Sequence, residues 1–143
     1  MEYKRLKDRL LVKLERGDDM FSSLYDVIKK EKINFAWING IGAFEEVSLG
    51  AYCLEKKDYI KSFFNGHYEI VSLQGNCSIK DKEPFLHIHA TISDEKCHVF
   101  AGHLFSAVIT LTCELVLFLS DAKINRVRDD DIGLSLWDLN NVR

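Results

Sequence analysis

The spacing of apolar residues changes abruptly along this chain, and that change limits the folds it can adopt. From Met20 to about Lys32 the apolar residues recur at helical spacing, and Asp18 or Asp19 precedes them as the N-cap. Elsewhere the apolar residues mostly alternate with polar ones, which is typical of β-strands. One helix and about eight strands joined by short connections predict an α+β fold with a mostly antiparallel sheet.

Two glycines, Gly40 and Gly42, follow the first short strand after the predicted helix. We predict a tight turn over residues 40–43 that joins two strands. A phosphate-binding loop is the alternative, but a strand and two acidic residues follow, rather than the helix N-terminus that such a loop requires. The strands are predicted at residues 3–15, 35–39, 47–54, 59–64, 67–79, 85–92, 97–101, 104–119 and 132–139.

The length of the chain, 143 residues, fits one domain, and no change in composition marks a linker within residues 1–143. Hydrophobic residues make up 47% and charged residues 29% of the chain, which excludes a disordered protein. The charged start predicts no secretion signal. The longest apolar run, residues 104–119, is shorter than the ~20 residues of a bilayer span, so we predict a buried strand and no membrane association.

The cysteines Cys53, Cys77, Cys97 and Cys113 lie within apolar patterns and have no C-x-x-C spacing. This spacing predicts neither a zinc knuckle nor a redox motif. A disulfide framework is the alternative, but small buried thiols in a reducing cytoplasm are favoured.

Three histidines form a pattern with chemical content: His87 and His89 are two residues apart, and His103 lies in the following strand. Residues two apart in a strand share a face. A hairpin centred on Glu95 would pair His87 with His103 and bring all three imidazoles to one side. Three neutral imidazoles with open positions suit zinc, or another divalent transition metal, that still accepts water or substrate. Exposed histidines without a metal are the alternative, and a register shift of one residue would separate His103 from the pair.

Glu114 is the candidate for a fourth ligand or a catalytic group, because it interrupts a strand of Val, Ile, Leu and Thr residues. It either reaches the metal, binds a group beside it, or forms an ion pair with Arg5, Arg9 or a neighbouring subunit. His67 and His98 are expected to be structural or exposed.

A further pattern runs through nearly the whole chain, at residues 3–6, 14–17, 40–43, 66–76, 84–90, 100–104 and 133–136. It resembles the PPC or PCC domain family, the plants and prokaryotes conserved domain, whose prokaryotic members carry the label of PD1-like DNA-binding proteins. The resemblance implies an α+β fold with one main helix and a homotrimer. His87, His89 and His103 match a pattern typical of the prokaryotic members. The fold is also similar to that of acetolactate decarboxylase, in which three histidines and a glutamate hold zinc.

Self-association is predicted from the residues as well, because the chain has more apolar positions than one helix can cover. Twofold and threefold symmetry both fit the residues, and the resemblance favours a trimer. The apolar residues expected to face a neighbouring subunit are drawn from Phe63, Phe64, Phe105, Val108, Phe118 and Trp137.

DNA binding is disfavoured by the charge of the chain. Its 19 Lys and Arg and 22 Asp and Glu residues give a formal charge of −3, and its Arg16-Gly17 pair is followed by two aspartates rather than an AT-hook core. We therefore expect a cytoplasmic homotrimer with an open three-histidine metal site. That site would bind a small ligand or carry out metal-assisted chemistry. A DNA-binding regulatory protein is the alternative that the family label implies.

Overall fold

A computed structural model describes residues 1–142 and confirms the predicted α+β fold. The helix α1, Met20–Lys30, begins where the Asp19 side chain accepts a hydrogen bond of 2.8 Å from the backbone N–H of Ser22. Its apolar residues at helical spacing, among them Leu24 and Ile28, are fully buried against the sheet. The helix therefore forms where the sequence predicts it.

Nine strands account for most of the described chain, and every strand pair is antiparallel. The main sheet has the order β1-β2-β7-β6-β5-β3-β4, and β7 also pairs with β3, so that β3, β5, β6 and β7 form a closed ring. The last two strands form a separate ribbon, followed by a short 3-10 helix, Leu139–Asn141. The strands are β1 Glu2–Arg5, β2 Arg9–Glu15, β3 Phe35–Cys53, β4 Asp58–Phe64, β5 Tyr68–Lys80, β6 Glu83–Ser93, β7 Val99–Ser120, β8 Arg126–Asp129 and β9 Leu134–Trp137.

The predicted tight turn at residues 40–43 is wrong, because β3 continues through it. Gly40 and Gly42 serve instead for close approach: a Cβ at either position would clash with the backbone of β7. The register between β3 and β5 shifts between these two glycines, and Gly42 has a φ of 152°. The glycines therefore mark an irregular strand that lies tightly against its neighbour.

Other strand boundaries also differ from the prediction. The predicted first strand is a hairpin of two strands, and the two strands predicted at 97–101 and 104–119 are one continuous strand, β7. The strand β8 was not predicted. Within residues 1–142, no helix has the length and apolar character needed to cross a membrane.

The hydrophobic core lies between α1 and the sheet and includes fully buried Phe44 and Ile109. On β6, the side chains of Leu86 and Ile88 face this core. Because side chains alternate along a strand, the residues between them point to the opposite face. That opposite face carries the predicted metal ligands.

Candidate metal centre

The three predicted histidines lie together on one face of the sheet. His87 and His89 come from β6, and His103 comes from the facing part of β7. One nitrogen of each imidazole lies within 4.8 Å of the other two, and His87 Nε2 is 3.2 Å from His89 Nε2. Among residues 1–142, no other three His, Cys, Asp or Glu side chains converge in this way.

The predicted pairing within this hairpin is wrong, although the shared face is as expected. His89, not His87, is directly opposite His103. The turn is centred one residue later than Glu95, because the Asp94 carboxylate accepts hydrogen bonds from two backbone N–H groups within the turn. Moving the turn by one residue shifts the pairing by two, and a shift of two preserves the face on which each side chain lies.

Burial keeps two of the imidazoles neutral. It is the main reason that the pKa of His87 and that of His103 are both lowered to about 4. The positive charge of Arg126 is the next cause for His87, and the imidazoles of His87 and His89 are the next causes for His103. At neutral pH both rings can therefore bind a metal ion without first losing a proton.

The residues present fit a metal ion on two further observations. The Nδ1 atom of His103 is buried, and no described residue offers it a hydrogen bond. The 3.2 Å between the Nε2 atoms of His87 and His89 is close to the ~3.3 Å expected for two imidazoles on tetrahedral zinc with Zn–N distances of ~2.0–2.1 Å.

Aromatic rings pack against the cluster on the β4 side. The ring centroids of Tyr59 and Phe105 lie 4.8 Å and 4.6 Å from that of His103. The hydroxyl of Tyr52, on the adjacent part of β3, donates to the backbone carbonyl of Ile132. This bond ties the segment before β9 to β3, which pairs with β7 at His103.

Arg126, which the sequence analysis did not single out, lies beside the histidines. Its Nε donates to Ser78 Oγ at 2.7 Å, its Nη2 to Asn76 Oδ1 at 3.0 Å and its Nη1 to the Ser135 carbonyl at 2.8 Å. Asn76 is directly opposite His87 in the sheet. The sequence indicated this contact only indirectly, because Asn76 and Ser78 are polar residues on a strand that is otherwise buried and mostly apolar at this end.

With this geometry established, comparison with known proteins identifies the family. The sequence model of the Plants and Prokaryotes Conserved (PCC) domain matches residues 1–120, most of the chain. The chain belongs to the PCC domain family. The predicted resemblance is therefore confirmed, and none of the curated proteins compared with this PCC domain matches it.

Solved structures similar to this PCC domain cover almost its whole length. A metal-containing protein from Archaeoglobus fulgidus is 37% identical, with a TM-score of 0.84 over 95% of this chain and 96% of that chain. A plant- and prokaryote-conserved protein from Pyrococcus horikoshii is 34% identical, with a TM-score of 0.85 over 96% and 93%. A candidate DNA-binding protein from Bacteroides thetaiotaomicron is 29% identical, with a TM-score of 0.94 over 98% of both chains.

A cavity of about 560 Å³ in this PCC domain opens beside the histidines. His87 and His103 form part of its lining, and the ribbon of β8 and β9 contributes Arg126, Leu134 and Leu136. The site is therefore bounded partly by residues beyond 120, outside the part of the chain that the family model matches. A ligand bound near the histidines would contact this ribbon.

Glu114 lies apart from the histidines within the chain. It lies eleven residues after His103 on β7, it does not belong to the group whose ligand atoms converge, and its side chain is exposed. The suggested ion pairs with Arg5 and Arg9 do not form, because Arg5 pairs with Glu31 and Arg9 with its neighbour Asp8. Glu114 lines a different cavity of about 610 Å³.

The other two histidines of interest are placed as expected. His67 is half-buried and lies 3.1 Å from Glu69, and His98 is exposed and lies 3.0 Å from Asp94. Neither belongs to the histidine cluster. They therefore provide natural controls for substitutions in that cluster.

Proposed function

We propose that this PCC domain binds one divalent transition-metal ion, zinc first among them, through His87, His89 and His103. The observation that carries the proposal is the convergence of three imidazole nitrogens within 4.8 Å of one another. The unpartnered Nδ1 of His103 and the metal-containing relative from Archaeoglobus fulgidus support it. Three protein ligands leave at least one coordination position for water or a small ligand.

The chain's own residues would position that ligand. Tyr59 and Phe105 hold the His103 ring by packing against it, and the ribbon of β8 and β9 encloses one side of the site. Zinc bound there would act as a Lewis acid on a carbonyl or carboxylate oxygen, or lower the pKa of a water molecule. We expect the site to bind a small ligand. If the protein is an enzyme, the metal would assist a reaction of that same ligand.

The test is metal analysis of protein purified without chelator or nickel resin. We expect the wild-type chain to carry about one transition-metal ion, and the His87→Ala/His89→Ala variant to carry none while keeping its circular dichroism spectrum. The His67→Ala/His98→Ala variant removes the same number of imidazoles and should retain the ion. Wild-type protein without any transition metal, or metal retained by the first variant, would overturn the proposal.

The proposed assembly is a homotrimer. Exposed apolar side chains support self-association: Leu11, Ile41 and Phe118, 41%, 58% and 44% exposed, line the same cavity as Glu114. A neighbouring chain seated there would bring its own groups towards Glu114. Sedimentation equilibrium should give three times the chain mass of 16.5 kDa. A stable monomer at micromolar concentration contradicts the trimer.

DNA binding is the second candidate function, and the observation that favours it is the label of the Bacteroides thetaiotaomicron relative. The formal charge of −3 on this chain opposes it. A duplex titration at about 0.15 M salt separates the two candidates, because non-specific binding there has a Kd of ~10⁻⁴–10⁻⁶ M. Tighter, sequence-dependent binding would favour the DNA-binding function over the one proposed above.

The proposed location is the cytoplasm, whose reducing conditions keep an exposed thiol such as that of Cys97 unpaired. Cell fractionation tests this, and recovery of the protein outside the cytoplasmic fraction would contradict it.

A further inference from the structure

The cavity beside the histidines has an uneven distribution of charge. Its lining includes three cationic side chains, those of Lys80, Arg126 and Arg128, and no Asp or Glu among the described residues. Arg128 has an ion-pair partner, because its Nε lies 3.0 Å from Asp130. The cavity therefore presents positive charge that its own walls leave largely uncompensated.

Arg126 is a cation of this cavity whose charge is not balanced by an acidic side chain. Its three hydrogen bonds all go to neutral acceptors, and within residues 1–142 no carboxylate lies at ion-pair distance from it. A guanidinium has five N–H groups, so these bonds leave two free, one on each Nη atom. A half-buried cation of this kind is stabilised when an anion pairs with it.

The guanidinium is also close to the histidine cluster. Its Nη2 holds Asn76, which is directly opposite His87, and opposed residues have Cβ atoms ~4.5–5.5 Å apart. Its central carbon lies 4.9 Å from the ring centroid of Phe85, which is two residues before His87 on the same face of β6. An anion on Arg126 would therefore lie beside the imidazoles.

Apolar side chains form much of the remaining wall, among them Phe85, Phe105, Leu134 and Leu136. An inorganic anion has no apolar surface to place against them, whereas an organic acid has both parts.

Arg126 also lies beyond residues 1–120, so membership of the PCC family does not by itself assign it a role.

We propose that this cavity binds a small organic carboxylate, with the carboxylate on Arg126 and the apolar body against Phe85 and Leu134. A guanidinium and a carboxylate match in shape and can form two parallel hydrogen bonds. The carboxylate would make a second contact with a metal ion held by the histidines, and this second contact rests on the proposed function.

Isothermal titration with acids and their amides tests the proposal on the full chain, in zinc-loaded and chelator-treated forms. The probes are benzoate with benzamide, 3-methylbutanoate with 3-methylbutanamide, and inorganic phosphate. We expect at least one acid to bind about tenfold or more tightly than its amide, and more tightly than phosphate. No preference for either acid at millimolar concentration, or equally tight binding of phosphate, would overturn the proposal.

Variants locate the binding site. Arg126→Gln should weaken acid binding by about tenfold or more, and Arg126→Lys should weaken it too, since an ammonium lacks the planar fork. Arg16→Gln removes one exposed positive charge from a distant turn and should change the affinity less than about twofold. Folded Arg126→Lys protein with wild-type affinity would overturn the assignment to Arg126. If Arg126→Gln does not fold, the acid–amide comparison on the wild-type chain still decides.

The two proposals fail in distinguishable ways. Stoichiometric zinc binding without any acid preference would sink the carboxylate site and leave the metal site intact. An acid preference that depends on Arg126 in a protein that binds no zinc would support the carboxylate site and overturn the metal site.

Discussion

The two faces of β6 differ in what the chain supplies to them. On one face, Leu86 and Ile88 join a core that α1 and the other strands fill with apolar side chains. On the other side, among residues 1–142, the buried Nδ1 of His103 has no hydrogen-bond partner and nearby Arg126 has no carboxylate at ion-pair distance. The first face is filled by the chain's own side chains, whereas the second leaves a buried polar atom without a partner among the described residues. Alternate residues of β6 therefore lie in two different environments, one a filled apolar core and the other the face where we propose that metal binds.

The largest difference between the faces should appear in core substitutions. Phe44→Ala removes a fully buried ring and should lower the free energy of unfolding by about 3–5 kcal/mol. Leu54→Ala is the control, because that side chain is 71% exposed and is not among the residues expected to face a neighbouring subunit, and it should cost less than about 1 kcal/mol. Urea denaturation of the metal-free protein measures both values. Equal costs would mean that the core face is not where the stability lies.

Metal should stabilise the histidine face by a smaller amount. Free zinc at about one hundred times its Kd should raise the free energy of unfolding by about 2.7 kcal/mol, because it binds the folded chain. The increase should vanish in the His87→Ala/His89→Ala variant and persist in His67→Ala/His98→Ala. Denaturation with and without zinc measures it, and an equal increase in both variants would place the metal elsewhere.

Acid should weaken the metal-free protein through the histidine face. The folded-state pKa of about 4 for His87 and for His103 lies below the ~6.5 of an unfolded histidine, so the unfolded chain binds more protons between these values. Stability is then greatest above about pH 6.5 and decreases as the pH falls towards about 4. Replacing both residues with Gln should flatten this dependence, measured by urea denaturation across the range. Stability that is constant or rises on acidification contradicts the burial of neutral imidazoles.

The smallest expected effect on stability is that of modifying a thiol at the hairpin turn, which differs from the thiols on the core side in its rate of reaction. Burial raises the pKa of Cys77 and of Cys113 to about 12, whereas Cys97 is exposed at the turn. Cys97 should react with a thiol reagent at pH 8 far faster than these two, with no change in stability. Reaction of Cys97→Ser compared with wild type identifies the fast thiol, and all four thiols should react in denaturant. Rapid reaction of Cys77 would show that the core face opens.

The histidine cluster could be predicted because it depends on strand parity. The shared face of His87, His89 and His103 survives a pairing error of two residues, as the observed register shows. The helix was predictable for a similar reason, since the spacing of Leu24 and Ile28 is local. The helix and the shared face of the histidines were therefore predictable because both depend on local periodicity.

Features that depend on distant contacts could not be predicted in this way. Arg126 reaches the site only because β8 lies against β5, where Arg126 contacts Asn76 and Ser78, about fifty positions earlier in the chain. Gly40 suggested a turn, but its role is to admit the backbone of β7. The apolar neighbours of Glu114 in the sequence suggested a buried carboxylate, yet its side chain is exposed in the single chain.

The long strand β7 also determines when the protein can fold during its synthesis. It pairs with β2, made about one hundred residues earlier, and with β3 and β6, so the central sheet lacks its shared partner until residue 120 has left the ribosome. Contacts so distant along the chain are slow to form, with folding times of roughly milliseconds to seconds. Until then the earlier strands have unpaired edges that can aggregate. The ribbon that carries Arg126 is made after β7, so the cavity beside the histidines can form only once residues 126–137 have also been made.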